Sequence, residues 1–185
     1  MISKIILIGG YCATGKSTFS HRLASRLSIP CFNKDTIKEV IGDGFGIENK
    51  DVHQKNSAVT FMLLLYIAER FLQASKPCII ESNFRLSESK KIELLLEKYD
   101  CKCLTFLFTG DLNSLYKRYA EREVANRHWV HLTVGEDKEL FIKSHKQCGQ
   151  GEVNVGETIK VDATDFEKID YERLFLLADN FTRTE

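Results

Sequence analysis

The stretch IILIGGYCATGKSTFS, Ile5 to Ser20, runs from an apolar β-type segment through a glycine-rich turn into a helical pattern. Within it GYCATGKS, Gly10 to Ser17, fits G-x-x-x-x-G-K-[ST], the phosphate-binding loop. Each residue type has a physical task there. The backbone from Gly10 through Tyr11, Cys12, Ala13 and Thr14 to Gly15 must curl so that successive N–H groups face phosphate oxygens, and the glycines permit that approach. Gly15 leads into a helix whose N-terminus adds partial positive charge. Lys16 reaches the β- and γ-phosphates, Ser17 offers a hydroxyl to Mg²⁺, and Thr18 assists at the α-phosphate. A chance match in a chain of ordinary composition is roughly a one-in-a-hundred event. The position between a strand and a helix is the one the mechanism requires. The loop predicts a nucleoside triphosphate.

Outward from the loop, short β-rich runs alternate with helical ones. KIILIG is a continuous apolar strand, and the helix after the loop extends from about Lys16 to Leu27. IPCFN is a short second strand, with a helical turn beginning near Asp35. FMLLLYIAERFLQ is apolar almost all round, which predicts a buried helix. PCIIES is a third strand opened by Pro77, where no ladder donor is needed. SESKKIELLLEKY is an amphipathic helix with Ser87 as its N-cap. CKCLTFLF is a fourth strand, followed by a helix over DLNSLYKRYAEREVANR capped by Asp111. GEDKELFIKSHKQC is another helix, TIKVDAT a fifth strand, and DYERLFLLADNF the last helix. Strands this apolar, separated by helices, predict an α/β protein with a parallel sheet covered on both faces.

Composition bounds the setting. The chain has 185 residues, 43% hydrophobic and 28% charged, with two prolines and eleven scattered glycines that leave no flexible linker. It reads as a single domain over 1–185. No apolar run reaches the eighteen or so residues of a membrane span. A cleaved leader at MISKIILIGG would take the phosphate loop with it, so a cytoplasmic location is expected. Lys plus Arg and Asp plus Glu are balanced at 26 each, which argues against a long nucleic acid as partner. The six cysteines show no CxxC pair and no Cys/His metal spacing. Cys101 and Cys103, two apart in a strand, are expected on one face, buried and reduced; Cys12, inside the glycine loop, has two readings, an oxidation-sensitive thiol or, the favoured one, a small residue that fits the loop.

A GTPase switch would carry D-x-x-G after the third strand, where this chain has IIESNFR; its NKD, Asn33 to Asp35, follows the second strand instead. Three features point to phosphoryl transfer onto an acceptor. Asp35 follows the second strand at the carboxyl edge of the sheet, placed to take a proton from an acceptor hydroxyl; the competing reading is a plain helix cap. Lys38, one turn on, falls on the same face and is read as an acceptor or phosphate contact. Arg118 and Arg122 share a helix face and Arg127 follows, a pattern for a lid over residues 118–136 that neutralises charge on the transferred group; the alternative is a solvated face paired with Glu121 and Glu123. Glu81, closing the third strand, is read as orienting Mg²⁺ waters or binding the acceptor, and Asn83 and Arg85 as reading the acceptor. The acceptor region is expected over 35–66, and no residue there names the acceptor.

Taken together, GGYCATGKST, NKDTIKE, IIESNFR and the Arg118–Arg127 segment resemble the small P-loop kinases related to nucleoside monophosphate kinases. The nearest likeness is to the AAA/zeta-toxin/chloramphenicol phosphotransferase/polynucleotide kinase-like branch. The resemblance covers nearly the whole chain and implies a three-layer P-loop fold with a five-stranded sheet of order 2-3-1-4-5. It implies ATP as donor, Asp35 as the acceptor-activating aspartate, Arg118 and Arg122 as lid arginines, and backbone near Ala163 and Thr164 beside the base. The chain departs from the pattern in having Lys38 where the polynucleotide kinases have an arginine. It also has Glu81, Ser82 and Asn83 where the monophosphate kinases have an aspartate-glycine opening. The reaction expected is ATP- and Mg²⁺-dependent transfer to a small-molecule hydroxyl. The alternatives are a nucleotide or polynucleotide-end acceptor at the same site, and an ATP-binding regulator that hydrolyses slowly.

Overall fold

The computed structural model describes residues 3–46, 49–124, 128–131 and 137–183. Five strands form one sheet: β1 (Lys4–Gly10), β2 (Cys31–Asn33), β3 (Cys78–Glu81), β4 (Lys102–Thr109) and β5 (Glu157–Asp162). Their order is β2-β3-β1-β4-β5, and every pairing is parallel. The helices are α1 (Lys16–Leu27), α2 (Lys34–Phe45), α3 (Lys50–Gln73), α4 (Leu86–Lys98), α5 (Leu112–Val124), α6 (Lys138–Gln147) and α7 (Tyr171–Arg183). This is the α/β architecture that the alternation predicts.

The period-two alternation of β1 divides the core. Ile5 and Leu7 face one side, with Phe61, Leu64, Ala68 and Leu72 of α3 and Ile92 and Leu96 of α4. Ile6 and Ile8 face the other, with Phe19 and Leu23 of α1 and Leu174, Phe175 and Ala178 of α7. Phe19 lies at the centre of that second layer. Its ring stacks on Phe175 at 5.4 Å between centroids and meets Phe106 edge-on at 5.3 Å.

The register sets the strand ends level. Ile8 pairs with Glu81, Asn33 with Glu81, and Gly10 with Phe108. The chain leaves β1 at Gly10, whose φ of +113° and close approach to the Phe108 carbonyl leave no room for a Cβ. Tyr11 N–H still donates to that carbonyl at 2.9 Å, so the loop starts pinned to β4. The reversal of strand order falls here, on either side of β1, and the crevice at such a point is where open α/β sheets bind ligands.

Four local expectations are corrected. α3 is longer than the apolar run and is not buried all round: Phe61, Leu64, Ala68 and Leu72 face the sheet, while Val59, Met62 and Tyr66 on the opposite side are exposed. It is an outer-layer helix, so only one stripe meets the core. The N-cap of α4 is Arg85 rather than Ser87, because the Glu88 carboxylate accepts from Arg85 N–H at 2.9 Å and starts the helix at Leu86. Strand β5 is an edge strand whose residues are mostly partly or fully exposed, so it is not covered on both faces. Cys101 precedes β4 and is half-buried, whereas Cys103 is buried within it; burial pushes both thiols up to about 12, and neither is in a disulfide.

These layers predict opposite responses to truncation. Phe19→Ala is expected to lower the unfolding free energy by about 3–5 kcal/mol in urea titrations. Met62→Ala, on the exposed side of α3, is expected to change it by less than about 0.5 kcal/mol.

Candidate active site

The phosphate loop, the starts of α1 and α2, the end of β3 and its following loop, and one face of α5 border a cavity of about 320 Å³. It is lined by Cys12 through Thr18 of the loop, Asp35, Glu81, Asn83, Arg118, Arg122 and Phe166. A larger hollow of about 410 Å³ outside β5 contains none of the loop residues.

Within the loop the polar groups converge. Thr14 Oγ1 donates to the Tyr11 carbonyl at 2.8 Å, and Lys16 Nζ donates to the same carbonyl and lies 3.4 Å from Thr14 Oγ1. Lys16 is buried, and burial pulls its pKa down; the charges of Glu81, Cys12 and Asp35 oppose that shift. Gly15 holds a left-handed φ of +80° at the N-cap of α1 and brings no side chain into the cradle. Ser17 and Thr18 are exposed in the first turn of α1 and line the cavity. Ala13 also has positive φ, +57°, in the tight curl of the loop.

Glu81 is the buried acid of the site. Its Oε2 accepts from Ser17 Oγ at 3.1 Å and from the Asn33 side-chain amide. Burial pushes its carboxyl up to about 7; nearby Lys16 and the Ser17 hydrogen bond oppose this, and Asp35 adds to it. Asn33 serves two elements at once: its Oδ1 caps α2 by accepting from Thr36 N–H at 3.0 Å, and its amide faces Glu81. Because Asn33 is the cap, Asp35 is not. The Asp35 carboxylate sits in the first turn of α2, exposed and lining the cavity.

The remaining candidate residues divide. Arg118 donates to the Ala163 carbonyl at 2.5 Å and the Thr164 carbonyl at 2.6 Å, and its guanidinium lies 3.9 Å from the centre of the Phe166 ring. Ala163 and Thr164 are thereby joined to the lining through Arg118, and Phe166 in turn packs beside Gly15. Arg122, one turn after Arg118, is exposed and lines the cavity, whereas Arg127 lies outside the described residues. Asn83 lines the cavity. Lys38 is buried and held 2.6 Å from His53 Nε2 of α3, and Arg85 is exposed at the cap of α4; neither lines the cavity. Of the lid segment 118–136, the part at 128–131 packs on α2. His131 Nε2 lies 2.8 Å from Glu39 Oε1, His128 Nε2 3.2 Å from Asp43 Oδ1, and Val130 covers Gly42. Residues 125–127 and 132–136 are outside the described residues.

Two site residues escape a reading of the sequence. Asn33 carries no signal beyond the common use of Asn as a cap, and its contact with Glu81 spans 48 residues. Phe166 is an aromatic in the polar turn VDATDF, an outlier that only the stacked Arg118 gives a role. Among the described residues no group of three or more His, Cys, Asp or Glu is arranged to hold a metal, and no helix is long and apolar enough to cross a membrane.

Comparison with known proteins places this geometry. Residues 5–137 match the AAA domain family AAA_33, and the chain belongs to that family. No curated protein sequence matches it. Among solved structures it superposes on a candidate kinase from Chloroflexus aurantiacus J-10-fl with a TM-score of 0.83 and 24% identity, covering 98% of this chain and 99% of that one. A shikimate kinase from Bacteroides thetaiotaomicron matches with a TM-score of 0.61 and 17% identity, over 97% of this chain and 99% of that one. A gluconokinase from Sinorhizobium meliloti matches with a TM-score of 0.60 and 17% identity, over 98% and 97%. The fold is that of the small P-loop kinases, with the strand order that the sequence resemblance implies.

The double duty of Asn33 has a measurable consequence. Asn33→Ala is expected to lower the unfolding free energy by about 1 kcal/mol or more through the lost cap alone. Asn33→Ser, which restores a capping oxygen, is expected to recover most of that loss in the same urea titration.

Proposed function

We propose that the protein is a cytoplasmic ATP- and Mg²⁺-dependent kinase that transfers the γ-phosphate to a hydroxyl of a small-molecule acceptor. The observation that carries this reading is the placement of Asp35: Asn33 caps α2, which leaves the Asp35 carboxylate in the same cavity as Lys16, Ser17 and Arg122. In this reading residues 1–185 form one kinase domain, with 118–136 as lid and 35–66 shaping the acceptor side.

The triphosphate lies over the N–H groups of residues 10–18, and its oxygens replace the Tyr11 carbonyl as partner of Lys16 Nζ. Asp35 takes the proton from the acceptor hydroxyl as that oxygen attacks the γ-phosphorus and the bond to ADP breaks. Arg122 and Arg127 neutralise the charge that spreads over the transferred group. Arg118, fixed by two carbonyls and stacked on Phe166, serves as a wall on the base side of the nucleotide. Asn83, which lines the cavity, reads the acceptor.

The residues present fit Mg²⁺. Ser17 Oγ and the Glu81 carboxylate lie 3.1 Å apart as hard oxygen donors, and burial disfavours the Glu81 charge beyond what Lys16 offsets, a deficit that a bound cation would relieve. Ser17 would bind the ion directly and Glu81 through water. Bound there, the ion would supply positive charge that offsets the charge on the phosphate oxygens.

The test is ADP release from MgATP, alone and with gluconate, shikimate, nucleosides, nucleoside monophosphates, aminoalcohol antibiotics and a DNA oligonucleotide bearing a free 5′-hydroxyl. Stimulation by one small hydroxyl class is the expected result; stimulation only by nucleotides or the oligonucleotide moves the acceptor to the alternative at the same site. Asp35→Asn is expected to lower turnover by about 10²–10⁴-fold while ATP affinity holds. Lys16→Ala is expected to lose ATP binding itself. Turnover unchanged in Asp35→Asn would sink the mechanism.

A further inference from the structure

Cys12 of the phosphate loop faces His145 of α6, 133 residues away, with Sγ and Nε2 3.2 Å apart. The histidine is oriented. Its Nδ1 lies 2.7 Å from the Phe141 carbonyl, which only accepts, so Nδ1 carries the proton and Nε2 presents its lone pair to the thiol. His145 is buried, and burial, with the Phe141 contact opposing and Lys16 assisting, pulls its pKa down, which keeps the ring neutral. Nucleophile, base and base-orienting acceptor are thus in line, the arrangement that activates a thiol.

The surroundings single out this sulfur among the six. Cys12 lines the 320 Å³ cavity beside the N-terminus of α1, and the Lys16 ammonium interacts with it electrostatically. Burial pushes Cys31 up to about 11 and Cys78, Cys101 and Cys103 up to about 12, so those four stay protonated. No step of the kinase mechanism uses the Cys12 sulfur or His145.

We propose that Cys12 and His145 form a reactive-thiol site at which oxidation by a hydroperoxide switches nucleotide binding off. His145 Nε2 takes the thiol proton, and the sulfur attacks one peroxide oxygen. An S–O bond forms, the O–O bond breaks, and the departing hydroxide or alkoxide receives the proton and leaves as water or an alcohol. Sulfur is oxidised to sulfenic acid and the peroxide is reduced. A small thiol reverses the change: one molecule displaces water to give a mixed disulfide, and a second releases Cys12 and carries away the disulfide. The added oxygen or thiol adduct stands in the cavity that the phosphates need, and ATP in turn shields the sulfur.

The inference rests on the nucleotide-binding part of the proposed function and needs no acceptor. The test begins by titrating the reduced protein with a fluorescent ATP analogue, then labels it with iodoacetamide and maps all six thiols by mass spectrometry. Cys12 is expected to label at least about 10-fold faster than Cys148, because an imidazole nitrogen stands within reach of its proton. MgATP is expected to protect Cys12 alone. His145→Gln is expected to slow Cys12 labelling and leave Cys148, at the end of the same helix, unchanged. Hydrogen peroxide is expected to abolish analogue binding, dithiothreitol to restore it, and Cys12→Ser to keep whatever binding it has under peroxide.

Equal labelling of Cys12 and Cys148, no protection by bound ATP, or a Cys12→Ser protein that loses binding to peroxide as fast as the parent would each overturn the proposal. A protein that fails to bind the analogue in the first titration refutes the nucleotide reading instead, which keeps the two failures apart.

Discussion

The site depends on how β1 ends. At Gly10 the strand must stop being a strand while its next N–H still pairs with β4, and the backbone there comes so close to the Phe108 carbonyl that a methyl group would lie 1.9 Å from it. Only a residue without a side chain satisfies both demands. From that point the loop can curl over the edge of the sheet and deliver Gly15 to the start of α1. Everything the cavity contains is measured from this turn: Glu81 is in register two residues earlier on the neighbouring strand, and Asn33 one strand beyond it.

Around this fixed point the chain gathers charge that it would not otherwise bury. Lys16 and Glu81 are both largely withdrawn from water, and burial disfavours the charged form of each. The two groups relieve one another, and Ser17 and Asn33 supply hydrogen bonds to the carboxylate. A set of buried polar groups that is held mainly by one another is costly as a purely structural device, and it becomes economical when a polyanion and a cation complete it. The buried part of the proposed MgATP site has that composition: one cation, Lys16, one anion, Glu81, and the Ser17 hydroxyl and Asn33 amide on the carboxylate.

Much of the fold was legible because the strands are short apolar runs and the first loop has one physical reading. The parallel sheet, all seven helical regions and the loop-to-helix junction follow from period and punctuation, as in KIILIGG passing into GKST. The errors came where apolar residues are not core. Val59, Met62 and Tyr66 raise the hydrophobicity of α3 without touching the sheet, and a window that averages around the helix cannot separate them from Phe61, Leu64 and Ala68. At the site, residues within one motif were readable and residues joined across the fold were not. Asp35 was visible from its place after β2, but that Asn33 takes the cap depends on a side chain that also faces Glu81. The Cys12–His145 and Arg118–Phe166 contacts join segments whose separation no local pattern records.

These cross-chain contacts bear on how the site is tied together. Tyr11, Cys12 and Ala13, at the front of the loop, pack into a small apolar cluster with Leu115 and Tyr119 of α5 and Phe141 of α6. The same α5 carries Arg118 and Arg122, so the helix that presents the arginines also supports the loop beneath the phosphates. On the other side α2, which carries Asp35, is gripped by residues 128–131 through Glu39, Asp43 and Gly42. The loop is thus packed on α5, and the proposed base sits on a helix held by residues 128–131. In the proposed mechanism, the loop and Asp35 are therefore each tied to the part of the chain that carries or follows the arginines, the loop through α5 and Asp35 through residues 128–131.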